Sequence, residues 1–264
     1  MATLMRQYMF DALDTLRYEP TPKAVRVLLR GQVVAYTENA MLVWEPRRVV
    51  PSYAIPIADL SVALEDVEPA VDGDMPAGLL DPSDPFSGHT SAGRSAVVRA
   101  QTCTGAGFLP DALEGLIVLN FADFDWFEEE DEIFGHPRDP FSRIDIRHSK
   151  RRVEVEVADV RLAESENPLM LFETYLPSRF YLATNDVLAH LVRSDTETTC
   201  AYKGQATHWS APDLGPEGTD IAWSYLSPPP EMSQITGRIC FYQERVDLTV
   251  DGVRLQRPIT PWSD

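Results

Sequence analysis

The side chains best placed in sequence to do chemistry together are in Thr196-Glu-Thr-Thr-Cys200-Ala-Tyr202-Lys203-Gly204. A free cysteine thiol ionises near pH ~8.5, and a neighbouring cation lowers that value towards the reactive thiolate. Lys203 could be that cation. It could equally hold a carboxylate or phosphate, or form a Schiff base if desolvated. Gly204 would let a ligand approach the backbone closely. Glu173 is the candidate general base. Tyr181, Tyr202 and His208 are candidate donors, and Trp209, Trp223 and Tyr225 would line an apolar rim. A structural reading carries equal weight. Cys200 is then a small buried hydrophobe, Lys203-Gly204 an ordinary turn, and Tyr181 a core phenol with a bonded hydroxyl.

The elements that must position these groups occur twice. Without a gap, Val25 falls on Val153, Glu38 on Glu166, Asn39 on Asn167, Trp44 on Phe172, Glu45 on Glu173 and Tyr53 on Tyr181. One dropped residue then sets Asp59 on Asp186. A second echo sets Gly115-Leu-Ile-Val-Leu-Asn beside Gly237-Arg-Ile-Cys-Phe-Tyr, with Asp125 beside Asp247. The offset of 128 residues between Val25 and Val153 is too long for a solenoid repeat and fits a duplicated domain. Ser87-Gly-His-Thr-Ser-Ala-Gly93 is the stretch matching Cys200. There His89 replaces Cys200, Ala92 replaces Lys203, and Gly93 keeps the place of Gly204. The thiol-ammonium pair is thus expected in the second copy alone.

Strand signals fill both copies. Val25, Val27 and Leu29 alternate before a turn at Gly31. Val153, Val155 and Val157 alternate with Glu154 and Glu156 before a turn at Ala158-Asp159. Leu169–Phe172, Arg179–Leu182, Ile221–Tyr225, Ile239–Tyr242 and Val246–Val250 are further strand candidates. Asp251-Gly252 makes a hairpin turn. Thr184 is read as the cap of a short helix over 186–192. Leu4, Tyr8, Met9, Leu13 and Leu16 predict an amphipathic helix over 3–17 that docks on a domain or partner. Residues 66–95, rich in Asp, Pro, Gly and Ser, predict a long loop. Trp126–Phe141, with its acidic run Glu128–Glu132, is read as a solvated crossover. His136, Arg138 and Asp139 there are read as a structural polar cluster. The expected division is an N-terminal helix over 1–21, a first domain over 22–126, an acidic linker over 127–142 and a second domain over 143–264. The fold class is mainly β.

Composition bounds the partners. The net charge of −18 over 264 residues opposes nucleic acid, whose phosphates need Lys and Arg, and anionic membrane surfaces. Three cysteines without a C-x-x-C pair suggest neither a zinc framework nor a disulfide scaffold, and fit a reducing cytoplasm. No apolar run reaches the roughly 20 residues of a membrane span, and no signal-peptide pattern opens the chain. No cofactor or metal site is expected, and the oligomeric state is open.

LFETYLPSRFYLATNDV, TTCAYKGQATHWS, IAWSYLSPPPE and GRICFYQERVDLTVDG together resemble a DUF427 domain. LVWEPRRVVPSYAIPIADL with DPFSGHT is similar to a divergent second one, and WFEEEDEIFGHPRDPFSRIDI is similar to the linker of tandem bacterial members. The resemblance implies two β-rich domains of the Mss4-like, or β-tent, type, without an established activity. The paired C-x-x-C knuckles of zinc-binding Mss4-like proteins are missing here, so zinc is not carried over. The expected function is binding of a small anionic or aromatic metabolite near Cys200 and Lys203. The alternatives are an enzyme with Cys200 or Lys203 as nucleophile and Glu173 as base, or a non-catalytic scaffold.

Overall fold

The structure, a computed structural model, describes residues 2–69, 78–86, 92–101 and 103–263. The chain is mainly β and forms two compact units, Met1–Asp139 and Pro140–Asp264. In the first unit the strands are β1 (Arg17–Pro20), β2 (Val25–Leu29), β3 (Gln32–Thr37), β4 (Met41–Trp44), β5 (Ser52–Pro56), β6 (Ala63–Pro69), β7 (Gly93–Ala100), β8 (Cys103–Pro110), β9 (Leu116–Leu119), β10 (Asp125–Glu128) and β11 (Asp131–Ile133). In the second they are β12 (Ile144–His148), β13 (Val153–Val157), β14 (Val160–Ser165), β15 (Leu169–Glu173), β16 (Arg179–Leu182), β17 (Val192–Cys200), β18 (Gly204–Ser210), β19 (Ala222–Tyr225), β20 (Ile239–Phe241), β21 (Asp247–Val250) and β22 (Val253–Arg254).

Each unit pairs a seven-stranded sheet with a four-stranded one, and the orders correspond strand for strand. They run β1-β4-β5-β9-β8-β7-β6 and β3-β2-β10-β11 in the first unit, and β12-β15-β16-β20-β19-β18-β17 and β14-β13-β21-β22 in the second. Registers correspond as well. Val25 faces Thr37 as Val153 faces Ser165, and Asp125 faces Leu28 as Asp247 faces Glu156. The β2–β3 hairpin turns at Arg30-Gly31 and the β13–β14 hairpin at Ala158-Asp159, all four residues having positive φ. That geometry carries the strand twist through a two-residue loop.

Strand alternation builds the cores. Val153, Val155 and Val157 point inward and pack with Leu162, Phe180, Leu182, Phe241 and Leu248. Val25, Val27 and Leu29 pack likewise with Leu42, Trp44, Tyr53, Ile55 and Trp126. Each such fully buried side chain contributes about 1.5–3 kcal/mol of transfer free energy. A second, smaller cluster covers the opposite face of each seven-stranded sheet: Val43, Ala54, Leu113 and Val118 in one unit, Leu171, Tyr181, Ile235 and Cys240 with others in the other.

The registers revise the alignment of the two copies. Leu42 faces Tyr53, but Leu169 faces Tyr181. Ala54 faces Val118, and Tyr181 faces Cys240. Tyr181 therefore stands where Ala54 stands, and Phe180 takes the place of Tyr53. The dropped residue lies before the strand, since one residue fewer separates Glu173 from Arg179 than Glu45 from Ser52. A one-residue slip moves a side chain to the other sheet face. Tyr53 thus faces the inner core, while Tyr181 faces the outer cluster. The place of Gly93 changes too. Phe108 faces Val118 and Trp223 faces Cys240, and two residues on Pro110 faces Gly93 while Tyr225 faces Ala206. Gly93 thus holds the place of Ala206 and not that of Gly204. His89, the expected counterpart of Cys200, lies outside the described residues.

Other expectations are corrected. The N-terminal helix spans only Met5–Asp11, followed by a 3-10 turn over Ala12–Asp14 and then β1. Leu4 and Tyr8 are exposed, and Leu13 is the buried anchor. The helix expected over 186–192 does not form. Thr184–Asp186 is a 3-10 turn, after which the backbone runs extended so that the N–H groups of Leu188 and Ala189 donate to Leu162. Residues 127–133 are no free linker, because β10 and β11 join the four-stranded sheet of the first unit. Glu128 there accepts from Tyr53 Oη at 2.8 Å and pairs with Lys23. Strands β6 and β7 take both ends of the expected 66–95 loop, of which 70–77 and 87–91 lie outside the described residues. No helix among the described residues is long and apolar enough to cross a membrane.

Candidate functional site

Strand parity sets Glu173 (end of β15), Arg179 and Tyr181 (β16), His208 (β18), Trp223 and Tyr225 (β19) and Cys240 (β20) on the outer face of the second unit's seven-stranded sheet. Ile235 and Met232, from the 3-10 segment Pro230–Ile235, cover part of this face. Cys200 ends β17 and faces Gly204 across a tight turn. Gly204 has φ +84°, which favours glycine there. A Cβ on it would meet Pro229 at 3.5 Å, so the Ser227–Pro229 loop covers this glycine where a ligand was expected.

The turn directs Lys203 inward, where it is 6% exposed. Its Nζ donates to Glu173 Oε2 at 2.7 Å and lies 3.6 Å from Cys200 Sγ. Burial alone would push the ammonium pKa down. The Glu173 carboxylate, with Cys200 and Tyr181, outweighs burial and holds it above the ordinary lysine value. Lys203 is thus a fixed cation and hydrogen-bond donor, not a free amine. An ammonium has three donors. Among the described residues Lys203 meets Glu173 and Cys200, which leaves a third N–H uncommitted.

Buried aromatic side chains adjoin this group. Trp223 Nε1 donates to Tyr181 Oη at 3.3 Å, and the rings meet edge to face. Tyr242, which sequence reasoning left out of the site, lies 4.5 Å from Trp223 between ring centroids. Burial pushes the Tyr181 and Tyr225 hydroxyls well above the ordinary tyrosine range, so both stay protonated. His208 is buried. Its Nε2 lies 3.0 Å from Thr198 Oγ1, and its Nδ1 is buried without a hydrogen-bond partner. Burial lowers its pKa, partly offset by Asp220, so the ring is neutral at pH 7. Tyr202 is half-buried in the turn beside Lys203.

Trp209 does not join the site. It alternates with His208 to the opposite face, packs on the inner core, and donates to Ser224 Oγ at 2.9 Å. The sequence reading also missed Arg179 and Glu244, a buried pair with two hydrogen bonds of 2.8 and 2.7 Å. The signal for it was a lone arginine opening the apolar strand Arg179-Phe-Tyr-Leu. Among the described residues no group of three or more His, Cys, Asp or Glu could hold a metal ion.

Fold and site together define a protein of two antiparallel β units in which the second carries a Glu-Lys-Cys group around a buried lysine. Residues 145–252 match the family model of a domain of unknown function, DUF427, and this span holds every candidate site residue from Glu173 to Tyr225. No curated protein matches the chain.

Proposed function

We propose that the second unit binds a small anionic or aromatic metabolite beside Cys200 and Lys203. One observation carries this reading: the buried Lys203 ammonium keeps one donor free after Glu173 and Cys200 are served. A buried ion pair is weak evidence for stability, because desolvation offsets its attraction. A ligand carboxylate or phosphate at the third N–H would complete the ammonium's bonding, with Tyr225 near Cys200 and Glu173. The test is a melting-temperature panel of small carboxylates, phosphates and aromatic acids. Wild type is expected to be stabilised by at least one of them and Lys203→Ala by none, since ligand binding to the native state raises apparent stability. Equal shifts in both proteins, or none in wild type, would refute it.

A second reading is supported by the 3.6 Å separation of Lys203 Nζ and Cys200 Sγ. In it Cys200 is a nucleophile whose thiolate the ammonium stabilises, with Glu173 as the base. Alkylation of Cys200 is then expected to slow roughly tenfold in Lys203→Ala, and an unchanged rate removes it. A scaffold without small-molecule chemistry is the third reading.

The matching strand orders support a further element of the proposal: the first unit is a divergent copy of the same domain, and both are of the Mss4-like type. The acidic composition and the three cysteines without a C-x-x-C pair support a cytoplasmic protein without nucleic-acid or membrane partners, and the DUF427 resemblance supports a bacterial one.

A further inference from the structure

Arg179 is buried on the outer face of the second unit's large sheet, and its guanidinium carries an aromatic ring from two different parts of the chain. Trp223 of β19 lies 5.4 Å from Arg179 Cζ, and Trp262 lies 5.9 Å from it. Both are within cation–π range. Glu244 holds the guanidinium in plane with two hydrogen bonds and accepts a third, from Thr260 Oγ1, at 2.7 Å.

Trp262 and Thr260 belong to a segment of different character from the face they cover. Residues 255–263 form no helix or strand. Local polar contacts shape the end of the segment: Thr260 N–H donates to Ser263 Oγ at 2.8 Å, and Ser263 Oγ to Pro258 O at 3.3 Å. Its one aliphatic side chain near Trp262, Ile259, is 90% exposed. Apart from Trp262 and the partly buried Pro258 and Pro261 the segment buries little apolar surface, so lifting it mainly exposes that ring. Arg179, Trp223 and Glu244 lie inside the matched span 145–252, whereas Thr260 and Trp262 lie beyond it. The three residues of the face thus lie within the matched domain, and the segment beyond it supplies the ring that caps them.

We propose that Arg179, Trp223 and Glu244 form a slot for a planar aromatic group, that Trp262 fills this slot in cis, and that the Pro258–Ser263 strap must lift for a free ligand to enter. The guanidinium offers its charge to a ring face. Glu244 takes two of its five N–H groups and neutralises its charge, so a further carboxylate or phosphate would meet the Glu244 anion there. The ligand class is thus a neutral fused or single aromatic ring. The slot is defined without Lys203, so the inference does not depend on the anion reading above.

Indole is the probe. Calorimetric titration of Trp262→Ala with indole is expected to show saturable binding about tenfold tighter than in wild type, the scale of one desolvated cation–π contact. The double variant Arg179→Met, Trp262→Ala is expected to lose that gain. Thr260→Ala keeps Trp262 but loosens the strap, so it is expected to fall between. It also serves if Trp262→Ala fails to fold. Indole binding that is equal in wild type and Thr260→Ala, or absent from a folded Trp262→Ala protein, would overturn the slot. Retention of binding in Lys203→Ala, Trp262→Ala separates this slot from the Lys203 site.

Discussion

Glu45 and Glu173 occupy the same position, at or just past the end of the second strand in each large sheet, yet they take their counter-cations from different directions. Glu45 accepts from Arg48 Nε at 2.7 Å, only three residues along the chain. Arg48 is sealed by the carbonyls of Asp81, Pro82, Asp84 and Pro85, which saturate its guanidinium. Glu173 instead takes Lys203 from the β17–β18 turn, four strands away in the sheet order, and among the described residues that ammonium is left unsaturated. The first arrangement is a closed structural clasp. The second has the same carboxylate and an open donor, which is why the proposed site is in the second unit.

Removing Lys203 is expected to strand a carboxylate in a nearly buried position, the two side chains being 8% and 11% exposed. Lys203→Met should cost about 3–5 kcal/mol in urea unfolding, and Glu173→Leu, Lys203→Met together should recover most of it. A loss within about 0.5 kcal/mol for the single variant would mean that Glu173 reaches water and that the pair is not buried in solution.

Acid should weaken the second unit through Glu244. Burial alone would raise its pKa, but the two Arg179 hydrogen bonds and the guanidinium charge outweigh burial and hold it below the ordinary glutamate value. A carboxylate with a depressed folded-state pKa contributes stability that is present above the unfolded value, about 4.3. That contribution is lost as pH falls through the lower folded value. Urea midpoints measured from pH 6 downward should therefore fall more steeply below pH ~4.3 in wild type than in Glu244→Gln. Parallel curves would show that the pair is not formed.

His208 should titrate below the ordinary histidine value because its ring is buried. The unfolded chain then takes up the proton first as pH falls below about 6.5, so this residue lowers stability on the acid side and not on the alkaline side. A proton-NMR titration of the imidazole is the direct check. A midpoint at or above about 6.5 would place the ring in water.

Much of the architecture was legible in the chain. The alternation of Val153, Val155 and Val157 fixed which face of β13 is buried, because strand side chains alternate regardless of partner. The correspondence of Glu45 with Glu173 and of Asp125 with Asp247 could be read by eye, and the registers place each pair alike. The proximity of Cys200 and Lys203 followed from a three-residue spacing closed by a glycine that tolerates positive φ. Tertiary structure decided what depends on pairing between distant strands. The loop before β16 is one residue short, and only the register of β16 against β15 and β20 shows that Tyr181 turns outward and Phe180 inward. Trp209 left the site because its neighbour His208 took the outer face. Arg179 and Glu244 are 65 residues apart. No local pattern joins such a pair, because the desolvation of a charge and the partner that offsets it are properties of the packed interior and not of the sequence around either residue.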